Sequence, residues 1–257
     1  MTNISKILWA IAISLILINS VYFSLKLKFP QLKFINIFKS LQKEEKNDKI
    51  SAKDTLIMAL SSKIGVGSLA GVAISIYYGG LGTMFWIWIS TFFLSIITYI
   101  SILYKEKDGK YQKSGPSYYI KKGLNNKTLS IIYAIIILIT YTFVFSSIQN
   151  NTIVTLTTEI YNINQIIISL IITSLAGIII LKGIKTISNI CNKIFPVMII
   201  IFVILGLIVL MTNLPETGIL LKNIIMEAFN EKAVSGGIIY TIILALQKSV
   251  FAGESGT

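Results

Sequence analysis

Ser61-Ser62-Lys63-Ile64-Gly65-Val66-Gly67-Ser68-Leu69-Ala70-Gly71-Val72-Ala73 decides how the chain is read, because it sits inside an apolar run over residues 55–78. A run of that length suits a bilayer crossing, which needs roughly 20 apolar residues. Yet Gly65, Gly67 and Gly71 each weaken a helix by about 1 kcal/mol relative to alanine. Lys63 adds about 2.5–3.5 kcal/mol of insertion cost at the centre of a spanning helix. Two readings stand. In the first, Gly67 and Gly71 form a small-xxx-small pair that lets helices approach closely, and Lys63 snorkels to the interface. In the second, the helix unwinds, which a membrane tolerates only where the freed carbonyl and N–H groups line a cavity or hold a ligand. At such a break a helix N-terminus attracts a carboxylate and freed carbonyls coordinate a cation. The run is not a dinucleotide-binding fingerprint, since no strand precedes it and the glycine spacing differs.

The rest of the chain has the same character. Of its 257 residues, 54% are hydrophobic and 13% charged, where soluble domains carry about 25% charged residues. The net charge is +12 and all 23 basic residues are lysine. Most lysines stand in short connections between apolar runs, so no soluble basic domain exists to bind nucleic acid. The single Cys191 excludes an internal disulfide. The absence of histidine removes the commonest general base and metal ligand. With no intramembrane pair of carboxylates either, an enzyme is disfavoured.

Seven spans are predicted, at residues 5–25, 55–78, 83–104, 130–156, 165–181, 187–211 and 236–251. The first is read as a retained helix with a basic stop at Lys26 and Lys28, since no small-residue cleavage site follows it. Residues 219–229 are too short to cross and carry Lys222 and Glu227, which suits a helix lying at the interface. Every second connection is basic: 26–53, 105–127 and the turn with Lys182 and Lys185. Those connections face the cytoplasm by the positive-inside rule, which puts the N-terminus outside and the C-terminus inside. The expectation is an all-α, multi-pass protein of the cell (plasma or inner) membrane, forming one transmembrane domain over residues 1–257. Trp86, Trp88, Tyr118 and Tyr119 read as packing or interfacial residues.

Several collinear stretches make the chain resemble the alanine or glycine:cation symporter family. Gly65-Val-Gly-Ser-Leu-Ala-Gly-Val-Ala73, then Gly79-Gly-Leu-Gly-Thr-Met-Phe-Trp-Ile-Trp88, is similar to that family's G-x-G-N-x-x-G-V-A and G-G-P-G-A-x-F-W-M-W signatures. Leu27-Lys-Phe-Pro-Gln-Leu32, Leu103-Tyr-Lys-Glu-Lys107, Ser114-Gly-Pro-Ser-Tyr-Tyr-Ile-Lys-Lys-Gly123 and Phe143-Val-Phe-Ser-Ser-Ile-Gln-Asn-Asn-Thr-Ile153 follow in the family's order. Ser68 replaces the family asparagine and Leu81 the family proline. Gln247 to Thr257 resembles the start of the K-R-G-x-F-S-N-E-A-G-x-G-S signature, with Lys248, Phe251, Glu254 and Gly256 holding best.

The resemblance implies sodium-coupled symport of a small neutral amino acid, alanine or glycine, on two inverted five-helix repeats whose first helices are broken near the midplane. Residues 5–25 become an extra helix, about 53–212 the first repeat, and about 236–257 the start of the second. Gly65, Gly67 and Ser68 would offer backbone groups to the substrate, and Gln149 its side-chain amide. An intramembrane glutamine that only bonds a neighbouring helix is the plain alternative. Lys248 and Glu254 are a possible gate pair or merely mark the interface. Sodium enters as the coupling ion; its ligands are not named by this sequence, and no cofactor is implied. The chain matches the front part of the family's fold, so it is expected to be truncated and inactive alone, missing a C-terminal half. The alternative is an accessory or remnant membrane protein, or half of a split transporter.

Overall fold

The computed structural model describes residues 3–33, 51–103, 105–108, 111–230 and 237–253. They are almost wholly helical: α1 (Asn3–Lys26), α2 (Ala52–Lys63), α3 (Val66–Gly79), α4 (Gly82–Leu103), α5 (Pro116–Gly123), α6 (Lys127–Ile139), α7 (Ser146–Tyr161), α8 (Gln165–Leu181), α9 (Ile184–Thr212), α10 (Leu214–Ala228) and α11 (Gly237–Gly253). Thr140–Phe145 joins α6 to α7 as a π-helical stretch. Five runs are long and apolar enough to cross a membrane: Leu8–Lys26, Lys53–Gly79, Gly82–Ser101, Lys127–Tyr161 and Ile184–Thr212. The other two predicted spans are apolar helices of 17 residues each, α8 and α11.

The second span is two helices, α2 and α3, the unwound reading of the two set out for it. Two features differ from the expectation. The connection after α4 folds into an antiparallel hairpin, β1 (Lys105–Asp108) and β2 (Tyr111–Ser114), in register Lys105↔Ser114 and Asp108↔Tyr111. The short segment around Lys222 and Glu227 is a 15-residue helix, because Leu214–Glu216 continues the helix that the polar residues seemed to end.

The chain forms two compact units, Met1–Lys33 with Ser68–Phe145 and Lys222–Thr257, and Phe34–Gly67 with Ser146–Leu221. In the first, α4 packs against α11 and α1. Its core pairs Leu94, Ile96, Ala245 and Leu246 with buried hydroxyl residues, including Ser20, Ser24, Ser90, Thr241 and Ser249. Large Ile and Leu side chains point outward instead. Lipid solvates those, so close helix contacts in a membrane select small residues and polar bridges. Ser90 and Ser249 share a hydrogen bond of 2.6 Å across α4 and α11, and Thr91 donates to Ser249 at 3.1 Å.

The turn into α4 is tighter still. Gly80 has φ 74°, which glycine supplies without strain. A Cβ on Gly82 would fall 2.6–2.7 Å from backbone atoms of Glu227 and Ala228. Glu227 accepts from the Leu81 N–H at 3.0 Å, placing a carboxylate at the positive end of α4. Trp86 donates its indole N–H to the Ala228 carbonyl at 3.0 Å. Glu227, whose charge suggested a surface helix, is thus a structural anchor, and Trp86 is a packing residue as expected.

In the second unit α2 packs on α9, and α7 on α8. Ser51 and Asp54 form a capping box that starts α2. Asp54 also accepts from the Asn192 side chain at 2.7 Å.

Candidate functional site at the helix break

The last turn of α2 carries serine hydroxyls bonded to its own backbone. Ser61 and Ser62 donate their hydroxyls to the carbonyls of Met58 and Ala59, at 2.8 and 3.0 Å. Such side-chain bonds offer the backbone an alternative to the helix. Ile64 leaves helical geometry at φ −91°, ψ 76°, and Gly65 follows at little steric cost. The helix resumes at Val66. Helices of 12 and 14 residues rise about 18 and 21 Å, so the interruption falls near the middle of the apolar run in sequence.

The interruption is shorter than the glycine pattern implied. Gly67, Ser68 and Gly71 are helical, and Gly67 and Ser68 lie in the first turn of α3. The first N–H groups of a helix have no acceptor within it, and they carry the positive end of its dipole. Lys63 is the last residue of α2 and half-buried, a favourable place for a cation beside C-terminal carbonyls.

Gln149 covers the break. It lies on α7 and is half-buried. Its Nε2 is 2.8 Å from where a Cβ on Gly65 would stand, and Cδ and Oε1 are both 3.6 Å from it. The amide therefore lies against the bare Cα of Gly65. The structure brings together two residues that the sequence offered as candidates 84 positions apart (149 − 65). The π-helical stretch Thr140–Phe145 ends four residues before Gln149. An inserted π turn changes the face that later side chains present, and such bulges recur at functional sites.

Lys248 belongs to the first unit. Its Cδ is 3.4 Å and its Nζ 3.8 Å from a notional Cβ on Gly71. The lysine stem thus runs over the glycine face of α3, and the residue is half-buried. Lys248 has no hydrogen-bond or ion-pair partner among the described residues. Glu254, its suggested gate partner, lies outside them. In the same unit Tyr141 stacks on Phe145 (4.9 Å between centroids, 10°) and Phe145 on Phe251 (5.1 Å, 8°). Sequence reading passed over this ladder, although Phe145 and Phe251 both stand in the motifs that carry the resemblance. Among the described residues no group of three or more His, Cys, Asp or Glu could hold a metal ion.

A multi-pass helical membrane protein with one apolar span interrupted at Ile64 and Gly65, and a glutamine amide laid on the interruption, is the class these features define. The chain belongs to the sodium:alanine symporter family, whose model matches residues 1–257. That family is one of transporters, not enzymes. The chain is 30% identical over 262 residues to the amino-acid carrier protein AlsT of Bacillus subtilis, covering 98% of this chain and 56% of that one. It is 27% identical over 262 residues to the probable sodium/glutamine symporter GlnT of the same organism, covering 98% and 55%. It is 28% identical over 257 residues to the sodium/alanine symporter AgcS of Methanococcus maripaludis, covering 94% and 57%. The chain thus spans a little over half the length of these relatives.

Proposed function

We propose that this chain serves sodium-coupled symport of a small neutral amino acid, alanine or glycine. The contact between Gln149 and Gly65 at the helix break carries the reading. In it, Gly65, Gly67 and Ser68 present backbone groups to the carboxylate and ammonium of the substrate, and Gln149 adds its amide. The ends of the broken helix do the electrostatic work. N–H groups at the start of α3 favour the carboxylate, and carbonyls at the end of α2 favour cations. Family membership and a relative named as a sodium/alanine symporter support alanine, while another named for glutamine marks how much pocket shape decides. The expected result for Gln149→Ala is an at least tenfold loss of alanine affinity in purified protein, with helicity unchanged by circular dichroism. Unchanged affinity would remove Gln149 from the site. Lys248, with or without Glu254, remains proposed as a gate.

The proposed arrangement is α1 as an extra helix, a first repeat over about 53–212 and a second beginning near 236. The lysine-rich connections 26–53 and 105–127 are placed in the cytoplasm, with the N-terminus outside. Asn125 and Asn162 are exposed turn residues with φ of 48° and 53°, suited to cysteine labelling in a Cys191→Ser background. An impermeant reagent on intact cells is expected to label Asn162→Cys and spare Asn125→Cys. The reverse pattern would invert the topology.

A further inference from the structure

We propose that the first unit holds an anionic phospholipid, with one acyl chain in a groove between α1 and α4 and the headgroup at the lysine rim above it. The groove has a volume of about 480 Å³ and is walled by Leu15, Ile16, Phe23, Ile97 and Ile100. In a bilayer, lipid is the solvent available to fill it. Its wall is not uniformly apolar: Asn19, Ser101 and Tyr119 also line it. Asn19 donates one amide hydrogen to the Leu15 carbonyl at 2.7 Å. A primary amide has a second hydrogen to donate, and an acyl ester carbonyl is an acceptor for it.

The rim supplies the charge. Phe23 lines the groove one turn before the end of α1 and Tyr119 at the middle of α5, and Lys26 and Lys122 stand three residues further along the same helices. Residues three apart share a helix face, so each lysine stands on the groove-lining face of its helix. Both are exposed, as is Lys28. Lys26 is held by Tyr22, with its Nζ 3.3 Å from the phenol oxygen and 5.4 Å from the ring centroid. An apolar groove capped by cations is complementary to a bilayer phospholipid with an anionic head. A zwitterionic lipid would satisfy only the groove.

The test is native mass spectrometry of the purified full chain titrated with palmitoyl-oleoyl phosphatidylglycerol or phosphatidylcholine. Phosphatidylglycerol is expected to bind at least fivefold more tightly. Lys26→Gln and Lys122→Gln should each weaken it about fivefold at low salt, near the effect of one lysine at an anionic surface, with little change for phosphatidylcholine. A photoreactive phosphatidylglycerol applied to the unaltered chain should crosslink to peptides containing 15–23 or 97–101, a readout independent of variant folding. Equal binding of the two lipids, or crosslinks confined to other helices, would overturn the proposal.

Discussion

Gly82→Leu is expected to prevent accumulation of folded protein, and Gly82→Ala to lower its melting temperature on the order of 10 °C. The reason is what a side chain would meet there. A Cβ on Gly82 falls 2.6 Å from the Ala228 nitrogen and 2.7 Å from both the Ala228 Cα and the Glu227 carbonyl carbon. These are backbone atoms, and α10 cannot yield without losing the bonds it makes at the same place. Glu227 would be drawn off the Leu81 N–H and the Ala228 carbonyl off Trp86. Overpacking of this kind costs about 1–3 kcal/mol when side chains can adjust, and more when they cannot. In a chain of this size each kcal/mol shifts the melting point by about 2–4 °C. Thermal unfolding in detergent, followed by circular dichroism, measures it. A Gly82→Ala protein that melts with the parent would show that α4 and α10 are not in this contact.

Gly65→Ala should do the opposite, leaving stability nearly intact and removing function. Its added Cβ meets the Nε2 of Gln149 at 2.8 Å, which is the far end of a flexible side chain. Gly65 does not use the left-handed region of backbone conformation, so alanine is compatible with the local chain path. The amide swings away at small cost, and the polar group laid on the break is displaced. Alanine affinity is expected to fall at least tenfold, measured by equilibrium binding to purified protein. Gly65→Ala with Gln149→Ala together should be little worse than either alone, because both remove the same contact. Additive losses would mean that the two residues act separately.

Much of the architecture was legible because bilayer solvation imposes simple rules. Apolar runs gave the positions of α1, α4, α8, α9 and α11 to within a few residues, and Ser61 to Ala73 marked the one span that breaks. What the residues could not convey was the extent of the break. Gly67 and Gly71 are poor helix formers, yet both stay helical, and only Ile64 and Gly65 leave the helix. Tertiary contact overrides propensity here: Lys248 lies along the face of α3 that Gly71 keeps bare. The hairpin over 105–114 escaped notice because a lysine-rich connection carries no strand alternation. The π turn before Gln149 has no sequence signal of its own. Gly65 and Gln149 were each offered as substrate-binding through resemblance, and only three-dimensional structure brings the amide onto the glycine. Glu227 shows another limit, since no sequence signal pairs a charge in a short apolar segment with its partner, the Leu81 N–H.

The central claim is that the break in the second span forms a cation-coupled amino-acid site. It is tested most directly by equilibrium binding of radiolabelled alanine to the purified protein in lipid nanodiscs, in sodium chloride and in choline chloride of equal ionic strength. Saturable binding in sodium that falls at least tenfold in choline is the predicted result; equal binding in the two salts would contradict it.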